Sequence, residues 1–505
     1  MLKANNPPAQ PKLKNKHLFF LILGGALLFY LLTLAPSVLW GDDAFFQYSA
    51  YAGERQPTGN NHWLWFVTAQ LFTKLPIGTV AYRVNLVSAI AAALTVAMMF
   101  LAALEIGLRR DAAVVTAVSL AVAHTFWTHA VRAEVYTLFT FFMAVQLWLW
   151  LRWRVDDTRP FYAAMGLWGI LFWTHQMTVL LFPAFFLLLW LRRGWLSRRQ
   201  WGISLIWLAF GGVVFFTILT LEIAQPASVS TFQAMRLYLT YAGDTDFSQA
   251  MLDFSTQLIL RDVALWLGFL GLQFVGIGGI LGIIGVTAVW WKRPSAAWAA
   301  ITVLYITSVL FAISYRVNDR FAFYLPSYVA FVLFIGAGWQ WLTENWLKRK
   351  PRLRIVLLAG ILLIPLFTYY AISDTMSALD INPLGVRDLP GREPNWFFLW
   401  PAKTGYLGAD TYGRTAFAAV PPNGALLADH TPYETLRYLQ QVEGVRPDVN
   451  LIKVQVGADI TPVLDALPPD TAVCLADNNP NYYNLAQLTE WELQPVPPIY
   501  CLRPK

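Results

Sequence analysis

Residues 12–43 read KLKNKHLFFLILGGALLFYLLTLAPSVLWGDD, and this stretch sets the architecture of the chain. Three lysines precede an apolar run of about 20 residues, which is the length of one membrane-spanning helix. Two aspartates, Asp42 and Asp43, follow it directly. A cleaved signal peptide also begins with basic residues and an apolar run, but its apolar core is shorter. We therefore expect a retained transmembrane anchor whose far end carries two carboxylates.

The rest of the chain repeats this alternation of apolar runs and short polar segments. Of its 505 residues, 57% are hydrophobic and only 13% are charged, about half the charged fraction of an average soluble protein. Eleven apolar runs predict transmembrane helices. They cover roughly residues 18–38, 80–107, 111–128, 135–151, 161–175, 177–191, 201–222, 262–290, 297–314, 321–343 and 355–372.

The basic residues indicate how these helices are oriented. Of the 37 Lys and Arg residues, 20 fall in alternate segments that include the N-terminal tail, whereas eight fall in the intervening ones. Cytoplasmic loops carry such an excess of Lys and Arg. The pattern predicts a multi-pass protein of the plasma (inner) membrane with a cytoplasmic N-terminus. Because topology explains the net charge of +7, it does not indicate nucleic-acid binding.

Three domains follow from this pattern. Residues 1–17 form a cytoplasmic tail, and residues 18–372 form a transmembrane domain with long outer loops at about 39–79 and 223–261. In residues 373–505 the apolar runs shorten and turn residues become frequent, which predicts a small extracytoplasmic α/β domain. The expected fold is thus mainly α, with about eleven transmembrane helices.

Within the predicted α/β domain, GALLADH, RPDVNLIKV and TAVCLAD have the pattern of strands. TPYETLRYLQQVEG is typical of an amphipathic helix, with Thr431 as N-cap and Gly444 as C-cap. Asp429 and His430 resemble a catalytic pair, but a turn that closes the first strand is the favoured interpretation. Cys474 and Cys501 permit a disulfide in an oxidising compartment, although two cysteines alone do not establish one.

Polar residues accumulate at the predicted outer ends of the helices. Charged groups in or near hydrocarbon are costly and mark functional cavities. A transporter needs polar residues near mid-membrane, whereas a cluster at one face favours an enzyme that works at the interface. The clusters contain Asp42, Asp43, Arg55, His62, His124, His129, Arg132, Glu134, Tyr136, His175, Asp244, Asp246, Arg316, Asp319 and Arg320.

Glycosyl transfer from a lipid-linked donor is the chemistry that suits these residue types. A carboxylate removes the proton of an acceptor hydroxyl, and an arginine stabilises the departing lipid phosphate. Asp42 is the predicted base, with Asp43 as its partner or alternative. Arg132 and Glu134 are interpreted either as a local ion pair or as site residues.

The remaining candidates also have structural alternatives. Arg316, Asp319 and Arg320 form either a structural clamp or a phosphate site, and His175 either ends a helix or contacts substrate. The pair Asp244 and Asp246 in GDTDF is a weak candidate for a divalent cation, because short acidic pairs are common in loops. No metal site or cofactor is otherwise predicted.

Six motifs together carry a family resemblance: TLAPSVLWGDD, QPTG, KLPIGTVAYRVNLVSAI, FWTHAVRAEVYTL, YRVNDRFAFYLPSY and VPPNGALLADHTPYETLRYLQQVEGVRPDV. In this order they resemble the domain-of-unknown-function 2723 family, which is similar to protein O-mannosyltransferases and belongs to the GT-C class of membrane glycosyltransferases. The resemblance implies a hexosyltransferase, mannosyltransferase-like, with a polyprenyl-phosphate sugar as donor. The implied partners are the lipid bilayer, that lipid-linked donor and a protein, lipid or polysaccharide acceptor.

The family pattern places its catalytic aspartate on Asp42, and two positions depart from it. The family glutamate falls on Phe45, with Asp43 as a substitute. The family histidine falls on Gln56, at the start of QPTGNN, and His62 is its replacement. Arg55, next to this stretch, is counted with the substrate-binding residues. The alternatives to a transferase are a lipid or solute transporter or flippase, and a catalytically degenerate membrane scaffold.

Overall fold

The computed structural model describes residues 12–56, 61–240, 257–317 and 319–505, with side chains from residue 15 onward. The protein is mainly helical, with a small C-terminal sheet. The α-helices, numbered along the described chain, are α1 Lys12–Thr33, α2 Asp42–Ala52, α3 Trp63–Phe72, α4 Val80–Glu105, α5 Arg110–Ala121, α6 His124–Ala130, α7 Tyr136–Arg152, α8 Arg159–Leu171, α9 Phe182–Leu191, α10 Arg198–Leu219, α11 Thr231–Thr240, α12 Ile259–Gln273, α13 Ile277–Trp291, α14 Ala296–Ser314, α15 Leu325–Asn345, α16 Pro351–Ala378, α17 Pro394–Phe398, α18 Gly408–Ala419, α19 His430–Glu443 and α20 Thr461–Asp465. The strands are β1 Ala425–Ala428, β2 Asn450–Lys453, β3 Val473–Leu475, β4 Trp491–Val496 and β5 Ile499–Pro504.

Each of the eleven predicted spans coincides with helical segments, but the number of spans is not confirmed. In the described part of the chain, six helices are long and apolar enough to cross a membrane, and eight if each of two bent pairs counts as one span. The bent pairs are α5 with α6, at 66°, and α12 with α13, at 112°. Several predicted spans are therefore shorter or more broken than the apolar runs indicated.

Hydrogen bonds link the break between α5 and α6 to the end of α12. They give partners to backbone groups that the helix breaks leave without helical hydrogen bonds. Backbone polar groups at membrane depth need partners inside the protein. Gln273, at the end of α12, accepts from the Thr125 amide (2.7 Å) and donates to its hydroxyl (2.8 Å). The Tyr369 hydroxyl donates to the carbonyls of Leu272 (2.9 Å) and Val122 (3.2 Å). These hydrogen bonds therefore hold the two breaks together.

Small residues permit the closest helix contacts. A Cβ added at Gly338 of α15 would lie 1.9 Å from the carbonyl oxygen of Leu281 of α13, and one at Gly169 of α8 would lie 1.9 Å from that of Gly211 of α10. Such close backbone approach is typical of helix packing in membranes.

The C-terminal strands form one mixed sheet in the order β2-β1-β3-β5-β4. Strands β2, β1 and β3 are parallel, whereas β5 pairs antiparallel with β3 and β4. All three sequence-predicted strands are present, and Cys474 and Cys501 are joined by a disulfide across β3 and β5. Helix α19 is also present with Gly444 as C-cap, but its N-cap is Asp429 rather than Thr431. The Asp429 carboxylate accepts the Thr431 amide, which moves the cap two residues towards the strand.

Helix α19 links the sheet to the segment between α1 and α2. The Gly41 amide, just before α2, donates to the carbonyl of Thr431 (3.1 Å). The Thr435 hydroxyl donates to the carbonyl of Leu39 (2.8 Å). As a result, the beginning of α19 faces the beginning of α2, where Asp42 and Asp43 lie.

Candidate active site

Asp42 and Asp43 open helix α2 and enter different environments. Gly41 precedes them with a positive φ of 56°, a conformation that glycine adopts without strain. Successive helical residues point about 100° apart, so one carboxylate enters the protein and the other does not. The Asp43 side chain is 2% exposed and that of Asp42 is 62% exposed. Asp42 is therefore the carboxylate that a substrate in water can reach.

Asp43 belongs to a buried ion network with Arg132 and Glu134. The Arg132 Nε lies 2.9 Å from Asp43 Oδ1, and its Nη2 donates to Glu134 Oε1 at 3.1 Å. Burial raises the pKa of Asp43 to about 6 although Arg132 opposes the shift. Burial likewise raises the pKa of Glu134 to about 8 against the effect of Arg132. Among the described residues, Nη1 of Arg132 has no hydrogen-bond partner.

His430 of the C-terminal region contacts Asp42. Its Nε2 lies 2.8 Å from Asp42 Oδ1. Desolvation by the surrounding protein raises the pKa of Asp42, but the hydrogen bond and charge of His430 outweigh it, with help from Arg132 and Lys453. The net pKa of Asp42 is below its usual value, so this carboxylate is ionised at neutral pH and ready to accept a proton.

His62 and His175 lie in a stack of rings behind this network. Their ring centroids are 4.8 Å apart, and Tyr136 follows His175 at 5.3 Å. His129 packs against Tyr136 with the ring centroids 4.9 Å apart and the rings tilted by 55°, and its Nδ1 lies 3.8 Å from Glu134 Oε1. Burial lowers the pKa of His62 to about 4, against a hydrogen bond to the Thr174 backbone. The ring is therefore neutral at pH 7.

In the segment that contains Arg316, Asp319 and Arg320, Asp319 is the residue that interacts electrostatically with Asp42. Arg316 and Arg320 both bind the buried carboxylate of Asp262, each at 2.9 Å. Partial burial and the charge of Asp42 raise the pKa of Asp319 to about 6, and the charge of Arg132 opposes them. Asp319 is thus within electrostatic range of Asp42, whereas the two arginines are held by Asp262.

Arg55 has a separate partner. Its Nε donates to Glu222 Oε2 at 2.7 Å, and Trp63 Nε1 donates to the other oxygen at 3.0 Å. Asp244 and Asp246 lie outside the described residues. Across the described ranges, no group of three or more His, Cys, Asp or Glu side chains is arranged to hold a metal ion.

A cavity of about 590 Å³ opens beside the network, between residues 388 and 406. Aromatic side chains, including Trp396 and Trp400, line it together with Lys403. Burial lowers the pKa of Lys403 to about 7, and the positive charge of Arg132 acts in the same direction. The negative charge of Asp43 raises the Lys403 pKa in turn. Because Lys403 lines the cavity, the cavity lies within electrostatic range of the buried network.

Known proteins resemble this chain in part of its sequence and in its fold. Residues 56–198 match the model of the protein O-mannosyl-transferase TMEM260 N-terminal domain. Two solved structures of ArnT from Cupriavidus metallidurans share the fold. The one bound to undecaprenyl phosphate has a TM-score of 0.56 at 14% identity, and the apo structure has 0.55 at 16%; each comparison covers 96% of this chain and 98% of ArnT. Residues 56–198 are thus similar to a protein O-mannosyl-transferase domain, and the chain as a whole has the fold of ArnT.

The fold and the apolar helices indicate a multi-pass membrane protein, and together with the family-model match they support a membrane glycosyltransferase. No curated protein matches this GT-C chain in sequence. The resemblance predicted from the six sequence motifs is confirmed for the fold and for the O-mannosyltransferase-like character.

Sequence reasoning missed four residues of this candidate site. His430 was assigned to a turn, although its position after a buried strand, within one of the quoted family motifs, was a usable signal. Lys403 carried no signal, since nothing local predicts its burial. Glu222 and Asp262 are acids at the ends of apolar runs, and a search for every such acid would have found both.

Proposed function

We propose that the protein transfers a sugar from a polyprenyl-phosphate donor to an acceptor hydroxyl at the outer face of the membrane, with Asp42 as general base. The observation that carries the proposal is the contrast in α2: Asp42 is exposed and has a lowered pKa, while its neighbour is buried. A general base must be ionised and within reach of the proton it removes. Of the two carboxylates, Asp42 alone meets both requirements.

In the proposed reaction Asp42 accepts the proton of the acceptor hydroxyl. The hydroxyl oxygen then forms a bond to the anomeric carbon of the donor, and the bond between that carbon and the phosphate oxygen breaks. The phosphate leaves with the electron pair, and the proton stays on the carboxylate until it is lost to water. No external oxidant, reductant or further reactant is needed.

We assign stabilisation of the departing phosphate to Arg132. At pH 7 Glu134 is mostly neutral because its pKa is about 8, so Asp43 is the main counter-charge of the guanidinium. One guanidinium nitrogen has no hydrogen-bond partner in the described structure. Arginine binds phosphate with strong, charge-assisted hydrogen bonds. Asp43 and Glu134 are then positioning residues for this cation.

The ring stack and the Asp319 segment are proposed to bound the sugar and acceptor. His62 and His175 supply neutral ring faces, and Asp319 supplies a polar group near Asp42. Arg316 and Arg320 hold this segment through Asp262. Arg55 shapes the outer loop through Glu222. The similarity to protein O-mannosyltransferases favours a mannose-like hexose.

The orientation follows from the charge distribution. We propose that the protein resides in the plasma membrane with residues 1–17 in the cytoplasm, residues 18–372 as the transmembrane domain and residues 373–505 outside. The excess of Lys and Arg in alternate segments supports this orientation, and the disulfide between Cys474 and Cys501 suits an oxidising compartment.

The test compares glycans of a deletion strain with those of strains complemented by wild type or by Asp42→Asn. Mass spectrometry should reveal a linkage that is lost on deletion, restored by wild type and not restored by Asp42→Asn. Glu54→Gln, which removes another exposed acid of the same loop, is the matched control and should restore the linkage. An Asp42→Asn protein that restores it fully, at equal abundance, would overturn Asp42 as the base.

A further inference from the structure

The contact between His430 and Asp42 joins two segments that lie 388 residues apart in sequence. His430 follows the carboxyl end of β1, and Lys453 ends the neighbouring parallel strand β2 in register with Ala428. In α/β sheets the crevice at the carboxyl ends of parallel strands is where ligands bind. Here that edge of the sheet faces Asp42.

The other ring nitrogen fixes the proton positions of His430. Its Nδ1 lies 3.1 Å from Nζ of Lys453, and this Nζ donates to the buried carboxylate of Glu434 at 2.8 Å. An ammonium group can only donate hydrogen bonds, so the neutral ring accepts at Nδ1 and carries its hydrogen on Nε2. A protonated ring also carries hydrogen on Nε2. In both states, therefore, His430 donates to Asp42.

Stability does not account for this arrangement. The side chains of His430 and Asp42 are 43% and 62% exposed, and exposed ion pairs add little to stability. Yet the side chain of Glu434, which holds Lys453, is only 1% exposed, and burying a carboxylate is costly. If the His430–Asp42 contact positions a reactive group, this explains why the costly burial of Glu434 supports a contact that is itself exposed.

We propose that His430 is a positioning residue for the Asp42 base, held by Lys453 and Glu434, and that the C-terminal region thereby completes the active site. The inference rests on the proposed function of Asp42. His430 occupies Oδ1 and fixes the carboxylate rotamer, so Oδ2 is the atom that takes the proton of the acceptor hydroxyl. His430 itself exchanges no proton in this step.

Asp42, Lys453 and Glu434 are the charged groups around His430 that shift its pKa. Burial lowers the pKa of His430, but the hydrogen bond and charge of Asp42 raise it by more. Lys453 lowers the His430 pKa, and Glu434 raises it. The net pKa of His430 is above its usual value. This balance predicts opposite shifts when the neighbours are replaced.

The first experiment measures sugar transfer by the purified full-length protein. The probe is a synthetic polyprenyl-phosphate mannose with labelled sugar, and membranes of the deletion strain supply the acceptor. His430→Ala should lower kcat at least tenfold and leave KM for the donor within twofold. Its activity should also fall at a higher pH on acidification, because Asp42 loses the partner that lowers its pKa. His430→Gln, which keeps an N–H donor, should retain more activity than His430→Ala.

The matched control is Gln441→Ala. It replaces an exposed side chain of the same helix, α19, whose hydrogen bond is to the neighbouring Gln440. The control should keep wild-type kcat and pH dependence. Unchanged kcat and pH profile in His430→Ala, or an equal loss of activity in Gln441→Ala, would overturn the positioning role.

The second experiment needs no donor and separates this inference from the proposed function. Histidine ring carbons are labelled, and the pKa of His430 is measured by NMR titration of the full chain. The His430 pKa should fall in Asp42→Asn and rise in Lys453→Met. If wild type transfers no sugar but both shifts occur, the proposed function fails for mannose while the contact is upheld. The absence of either shift would refute the arrangement of His430 regardless of activity.

Discussion

Two neighbouring aspartates of α2 have different roles because a helix turns them into different surroundings. Asp43 balances the buried Arg132, whereas Asp42 remains in contact with water. Removing one member of a buried ion pair leaves an uncompensated charge. The two residues should therefore respond differently to the same isosteric change.

Asp43→Leu should lower the stability of the protein by about 3 kcal/mol, because it leaves the buried Arg132 without this acceptor. Asp42→Leu should change stability by less than about 1 kcal/mol, since its pair with His430 is exposed. Thermal unfolding of the two variants in the same detergent measures the difference. Equal unfolding temperatures for both variants would contradict the separate roles.

Glu134 makes the stability dependent on pH. Its pKa in the folded protein is about 8, above the value of about 4.3 expected in the unfolded chain. A carboxyl group with a raised pKa stabilises the fold fully below the unfolded pKa and loses that contribution as pH rises through the folded pKa. Ionisation of Glu134 should therefore lower the unfolding temperature between pH 5 and pH 8.5, while Lys403 and His62, whose pKa values are lowered, act in the opposite direction.

The matched variant is Glu134→Gln, which mimics the neutral acid. Its unfolding temperature should fall less than that of wild type between pH 5 and pH 8.5. Asp43, with a pKa of about 6, contributes in the same direction and remains in both proteins. An equal pH dependence in the two proteins would show that Glu134 is ionised at neutral pH.

At this scale the sequence predicted individual residues better than their partners. The Arg132–Glu134 ion pair was anticipated because the two residues are two positions apart, and it is present at 3.1 Å. The Asp43–Arg132 and Asp42–His430 pairs join distant segments. Hydropathy and spacing carry no information about which loops meet, so no local pattern could identify these partners.

At the scale of elements, close contacts between helices explain why some apolar runs fold as two helices with a bend between them instead of one straight helix. Residues 262–290 form one continuous apolar run in the sequence, but Gly276, with a positive φ of 69°, divides it into α12 and α13. Hydropathy records only composition, and so it predicted a single span. The turn depends on packing against α16, where a side chain at Gly276 would meet Ile364.

Adjacent glycines in α10 provide a test of helix packing. A Cβ at Gly211 would lie 2.7 Å from the carbonyl oxygen of Gly166 in α8, whereas a Cβ at Gly212 meets nothing within 4 Å. Gly211→Leu should therefore destabilise the protein by about 1–3 kcal/mol through overpacking. Gly212→Leu, the matched control, should be nearly neutral. Thermal unfolding in detergent separates them, and equal destabilisation would show that α8 and α10 do not pack this closely.

At the scale of the whole molecule, the segment that holds Asp42 and Asp43 lies against the C-terminal region, where His430 contacts Asp42. The sequence predicted both parts separately, the loop from its carboxylates and the sheet from its strand pattern. Their contact depends on α19 lying against α2, with a backbone hydrogen bond from Gly41 to Thr431. Because surface complementarity between distant segments leaves no trace in hydropathy, His430 was interpreted only as part of a turn.

The orientation of this region can be tested with the two cysteines, which are the only ones in the chain. Because they form a disulfide, intact cells should show no labelling by a membrane-impermeant maleimide. After an impermeant reductant, the partly exposed Cys501 should react without permeabilisation, whereas the fully buried Cys474 should react only after denaturation. The matched control is Lys292→Cys in a chain with Cys474→Ser and Cys501→Ser, which should react only after permeabilisation because residue 292 lies in a predicted inner segment. Labelling in the reverse pattern would place the Asp42–His430 site on the cytoplasmic side and exclude an acceptor outside the cell.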